Sequence, residues 1–195
     1  MSQPGLEPQP SRTDRLFFAV LPDAGARQAM AALVTRLRAE YDLQSRAVLA
    51  DRLHATLRVL GDYSGLPPDV LASAARAARE TAREVAPFKA SFDRVLTFMT
   101  RSRRSGRRPL VLTGGDGVAG LHALYGALSR ALLKAGLPGN PPGFTPHLTL
   151  MYDQCVVPEH GVAPVSWTVP ELVLLHSRIG RNLPYTVLGR WPFLM

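Results

Sequence analysis

The sequence has little cysteine and little lysine. A single cysteine, Cys155, among 195 residues cannot close an intrachain disulfide, which excludes a disulfide-stapled scaffold. Only Lys89 and Lys134 are lysines, so the positive charge is almost entirely arginine. No uninterrupted apolar run approaches the roughly 18–20 residues that cross a bilayer. The opening stretch, residues 1–14, is polar and rich in proline, without the basic and apolar regions of a signal peptide. A soluble cytoplasmic protein with no membrane partner is expected. There is no Gly-x-Gly-x-x-Gly and no Gly-Lys-Ser/Thr phosphate loop. The run Gly114-Gly115-Asp116-Gly117 therefore reads as a tight turn from strand to helix. The histidines show no zinc-type spacing with Cys155, and no local motif makes Cys155 a nucleophile. Neither a metal nor a cofactor is expected.

What is present suffices for a core, since hydrophobic residues make up 46% of the chain. The net charge of +8 favours an anionic partner. Much of that excess is local: Arg101, Arg103, Arg104, Arg107 and Arg108 lie within eight consecutive positions.

Apolar runs and breaks give the order of elements. Residues 1–14 read as a flexible tail, and 15–195 as a single bilobal, monomeric domain. Strands are expected over 15–21, 47–50, 53–60, 88–100, 109–113, 146–152, 167–175 and 184–191. Three helices are expected: one after Pro22-Asp23 to about Tyr41, one from Pro67-Pro68 to about Val85, and one with Asp116 as N-cap ending at Gly136. The elements do not alternate strictly, so an α+β fold on antiparallel sheets fits better than a parallel sheet.

One tetrapeptide recurs. His54-Ala55-Thr56-Leu57 reappears as His147-Leu148-Thr149-Leu150, each time inside an expected strand. Residues i and i+2 of a strand share a face, so each copy sets an imidazole beside a hydroxyl. Two imidazoles across a cleft supply a base and an acid near neutral pH. Two threonine hydroxyls donate to non-bridging phosphate oxygens. A phosphodiester needs both services. One copy alone is ordinary amphipathic strand sequence; two copies in opposite halves are not.

With these motifs the chain resembles the two-histidine phosphoesterase superfamily, and within it the bacterial RNA 2′,3′-cyclic phosphodiesterase/2′-5′ RNA ligase (LigT-like) group. The resemblance runs from about Arg15 to Phe193. It includes Arg15-Leu16-Phe17-Phe18-Ala19, LHATLRVLG at 53–61, TPHLTL at 145–150 and GRNLPYTVLGRW at 180–191. It implies two pseudo-symmetric α+β lobes whose antiparallel sheets form a V-shaped central cleft, each lobe giving one catalytic strand. His54 and His147 are then catalytic, and Thr56 and Thr149 hold the phosphate. The implied reaction opens a 2′,3′-cyclic phosphate, at an RNA end or on a nucleotide, to a 2′-phosphomonoester. His147 would activate water and His54 would protonate the departing 3′ oxygen, although pseudo-symmetry lets these roles exchange. The reverse chemistry is 2′-5′ RNA ligation.

Family members often carry arginine five positions past the second histidine; here that residue is Tyr152. Arg58, at i+4 from His54, would share its face if the strand has no bulge, and is either a phosphate contact or a rim residue. The arginines of 101–108 either track an RNA backbone or form a solvated loop. Tyr185, and Phe17 or Phe18, are candidates for stacking on a base. His122 reads as structural and His160 as a loop residue. Three other readings stay open: a non-catalytic RNA- or phosphate-binding module, a phosphodiesterase for 2′-5′ oligonucleotides, and one for ADP-ribose 1″,2″-cyclic phosphate.

Overall fold

Capping and patterning place the three helices. The computed structural model describes residues 12–100 and 106–194. The elements are β1 (Asp14–Val20), α1 (Ala24–Tyr41), β2 (Ala55–Tyr63), α2 (Pro68–Glu84), β3 (Phe88–Thr97), β4 (Arg108–Thr113), α3 (Ala119–Lys134), β5 (His147–Asp153), β6 (His160–Val169), β7 (Glu171–Arg178) and β8 (Thr186–Pro192). Asp23 caps α1 by accepting the Ala26 amide at 2.7 Å, and Asp42 ends it in the left-handed conformation. α2 starts on Pro68, where a missing N–H costs nothing, and buries a narrow face of Ala74, Ala77, Ala78 and Ala82. α3 buries the broader stripe Leu121, Leu124, Leu128 and Leu132.

The strands form one antiparallel sheet in the order β6-β3-β4-β5-β2-β1-β7-β8. The two expected lobes are its halves. Each half holds a strand–helix–strand unit, β1-α1-β2 in one and β4-α3-β5 in the other, with the second strand innermost. The halves join where β2 meets β5, and there a single residue pair, Ala55 with Leu148, is in register. The two expected sheets are thus one sheet divided almost to its middle.

All three helices share one core with alternate strand residues, among them Phe18, Val20, Ala55, Leu57, Leu112, Leu148, Leu150 and Leu174. The intervening residues Phe17, Ala19, Val173 and Leu175 form a smaller cluster with Leu21 and Tyr185 on the opposite face. That face carries the site.

Several expectations shift. Thr13 and Asp14 are not part of a flexible tail: the Thr13 amide donates to the Tyr63 carbonyl at 2.9 Å, and Asp14 is buried in β1, while residues 1–11 lie outside the described residues. The strand expected over 167–175 is broken at Pro170, which has no amide to give a ladder, into the end of β6 and the start of β7. His160 opens β6, with its ring stacked on Tyr41, rather than lying in a loop. Asp116 begins a 3-10 turn ahead of α3 and makes no side-chain cap. Residues 47–50 give only one bridge, Ala47 to Met151. The hairpin of β3 and β4 is present, but Arg101, Arg103 and Arg104 lie outside the described residues.

Candidate active site

Both histidines stand at the seam. His54 immediately precedes Ala55, and His147 precedes Leu148, so the residue pair that joins β2 to β5 is flanked by both imidazoles. His54 Nδ1 donates to the Arg52 carbonyl at 2.8 Å. His147 Nδ1 donates to the Thr145 carbonyl at 2.7 Å. A carbonyl only accepts, so each Nδ1 carries the proton and each Nε2 is left for chemistry. The same device, a carbonyl two residues back, fixes both tautomers.

The surroundings of the two rings differ. His54 packs against Phe17 and Tyr185, with ring centroids 5.1 Å away in each case. His147 has Phe98 edge-on at 5.0 Å. Burial pushes the His54 pKa below the ordinary imidazole value, the Arg52 carbonyl opposes this, and the positive charges of Arg52 and His147 lower it further. The His147 imidazole is therefore close enough for its charge to act on His54.

Thr56 and Thr149 are half-buried and follow their histidines on the cleft side. Thr56 lies opposite Ala19, and Thr149 opposite Val111. Immediately after each threonine the strand bulges. Leu57 is skipped between the pairs Ala19–Thr56 and Phe18–Arg58, and Leu150 is skipped between Val111–Thr149 and Leu110–Met151. The bulge inverts the alternation. Arg58 falls opposite Phe18, a helix-side residue, while Val59 falls opposite Phe17 on the cleft side. The condition that would have aligned Arg58 with His54 and Thr56 is not met, and its Nε is buried without a hydrogen-bond partner. On β5, Leu150 and Met151 are both buried and Tyr152 is exposed. Tyr152 reaches far enough to act electrostatically on Arg15 and Tyr185, both in the other half.

Tyr185 lies beside His54, and Phe17 lies edge-on to it at 5.2 Å. Phe18 is in the helix-side core. Arg52 is a site residue that the sequence reading misses. Its guanidinium lies 4.3 Å from the Tyr185 ring centroid, donates to the Tyr185 hydroxyl at 3.1 Å and donates to the Leu183 carbonyl. The available signal is parity, because Arg52 is two residues before His54. Arg15 is also on this side and forms a two-pronged pair with Asp62 at 2.7 and 2.8 Å. Among the described residues no three His, Cys, Asp or Glu side chains converge as a metal site requires. Among the described residues no helix is long and apolar enough to cross a membrane.

Residues 21–181 match the family described as the 2′-5′ RNA ligase superfamily. Among solved structures the chain is similar to Escherichia coli LigT in apo form, at 28% identity and a TM-score of 0.68 over 95% of this chain and 100% of that one. It is also similar to TT0787 of Thermus thermophilus, at 25% identity and a TM-score of 0.70 over 92% and 97%. The MHV ns2 PDE domain shares the fold, at 19% identity and a TM-score of 0.53 over 80% and 97%. Among curated protein sequences no match is found. A match across most of its length, on a fold that puts both His-x-Thr strands at one seam, shows that the chain belongs to the 2′-5′ RNA ligase superfamily.

Proposed function

We propose that the protein is a metal-independent cyclic phosphodiesterase that opens 2′,3′-cyclic phosphates at RNA ends to 2′-phosphomonoesters, with 2′-5′ ligation as the reverse reaction. The observation that carries this reading is the seam. Two imidazoles, each with Nδ1 held by the main-chain carbonyl two residues before it, leave two Nε2 atoms on one cleft, with a threonine two residues after each. In the proposed step His147 Nε2 takes a proton from water as its oxygen attacks phosphorus. The bond from phosphorus to the 3′ oxygen breaks, and His54 Nε2–H protonates that oxygen. Thr56 and Thr149 donate to the equatorial oxygens, where charge accumulates. Support also comes from LigT of Escherichia coli, which has been crystallised with 3′-AMP, with ATP and with phosphate.

Each histidine acting in general acid–base catalysis contributes roughly 10²–10⁴-fold. The test is release of 2′-monophosphate from a nucleoside 2′,3′-cyclic phosphate in EDTA, comparing the wild type with the His54→Ala/His147→Ala double variant. Turnover that persists in EDTA and disappears in the variant is expected. A folded wild type inactive on both the nucleotide and a cyclic-ended RNA would sink the hydrolase reading in favour of a binding module.

A further inference from the structure

The cleft needs a cation for a phosphate dianion or diester, and the two positions where the sequence suggested one do not supply it. Arg58 is turned out of line by the bulge after Thr56, and Tyr152 stands on the cleft side of β5. Arg15 faces the cleft, but Asp62 neutralises it through two hydrogen bonds. Arg52 is different. It is half-buried, and its guanidinium is fixed by the Tyr185 ring, the Tyr185 hydroxyl and the Leu183 carbonyl. All three partners are neutral, and among the described residues no carboxylate is in ion-pair contact with it. A guanidinium immobilised by neutral acceptors keeps its full charge and has already lost its rotamer freedom. Its main-chain carbonyl holds His54, so charge and imidazole are parts of one rigid unit.

We propose that Arg52 binds the substrate phosphate, supplying from the His54 side the guanidinium that the His147 side lacks. The inference rests on the cleft being a phosphate site, as in the proposed function, but not on hydrolysis. The uncommitted N–H groups of Arg52 pair with a non-bridging oxygen next to His54, while Tyr185 holds the fork in place. Tyr185 thereby acts as the post for Arg52 as well as the wall for His54.

Binding of inorganic phosphate and of adenosine 2′-monophosphate to the full chain, by titration calorimetry, tests this without turnover. Arg52→Gln is expected to weaken both by roughly 10- to 100-fold, as loss of a charge-assisted hydrogen bond does. Arg52→Lys, which keeps the charge and loses the fork, should fall between. Arg76→Gln removes an equal charge from α2, on the helix side of the sheet, and phosphate affinity should stay close to wild type. A second reading comes from NMR titration of the His54 ring: its pKa should rise in Arg52→Gln and stay in Arg52→Lys. Wild-type phosphate affinity in Arg52→Gln would overturn the assignment. So would an equal loss in Arg76→Gln, which would make the effect one of net charge alone. Arg52-dependent phosphate binding without any turnover would support Arg52 and fail the hydrolase reading.

Discussion

At the scale of single residues, the two histidines are near-copies in geometry and unequal in environment. Both Nδ1 atoms are spent on carbonyls, yet only His54 is boxed by two aromatic rings and an arginine. If His54 is the acid, its loss matters only when the leaving oxygen needs a proton. With an aryl phosphodiester, whose phenolate leaves unaided, His54→Ala is expected to keep most of its turnover and His147→Ala to lose it. The opposite pattern would exchange the two roles. The depressed His54 pKa gives the acid limb of the kcat/KM profile an apparent value below that of an ordinary imidazole. His54, Thr56, His147 and Thr149 were legible because the pattern repeats and period-2 alternation holds up to each threonine. Arg52 was not, because the groups that define it, Leu183 and Tyr185, arrive from more than a hundred residues away.

At the scale of elements, all three helices and most strands could be read from periodicity and punctuation. The two bulges could not. Leu57-Arg58 and Leu150-Met151 contain no glycine or proline to mark them, and the register that creates them is set by β1 and β4. One residue of slip moves every later side chain to the other face, which is why Arg58 was misaligned. The Gly114–Gly117 turn shows the opposite case, where composition states the reason. A Cβ on Gly114 or on Gly117 would come within 2.6 Å of the Ser91 carbonyl oxygen, so the turn lies directly on the backbone of β3. Gly117→Ala should cost about 1–3 kcal/mol through forced backbone displacement, measured by chemical denaturation. An unchanged midpoint would show that the turn can shift away at no cost.

At the scale of the molecule, one buried cluster ties the chain's early and late segments together. Asp14 accepts from the Thr13 hydroxyl at 2.6 Å and from the Gly65 amide at 3.1 Å, and pairs with His176 Nε2 at 2.7 Å. β1, the segment before α2, and β7 meet on this carboxylate. The Thr13 hydroxyl first, then His176, the Gly65 amide and Arg178, lower its pKa from 3.8 to about 2 against the opposing effect of burial. A carboxyl whose pKa is depressed by folding stabilises above its unfolded value and loses that contribution as pH falls through the folded one. The melting temperature of the wild type should therefore drop between pH 3.8 and about 2 more steeply than that of Asp14→Asn. The variant should already melt lower at neutral pH. Parallel curves would remove Asp14 from the acid response. The sequence offered Asp14 only as the end of a tail, since the partners that bury it lie on two other segments.

The carbonyls that hold the two imidazoles belong to Arg52 and Thr145, and any residue at those positions would present the same oxygen. The orientation of the site is thus invisible to an alanine scan and indifferent to most drift in sequence. Selection can rewrite either side chain, as a guanidinium ahead of β2 and a hydroxyl ahead of β5 already illustrate, without disturbing which nitrogen faces the phosphate. Only a change to the main chain itself, such as an ester or a shifted register, reaches it.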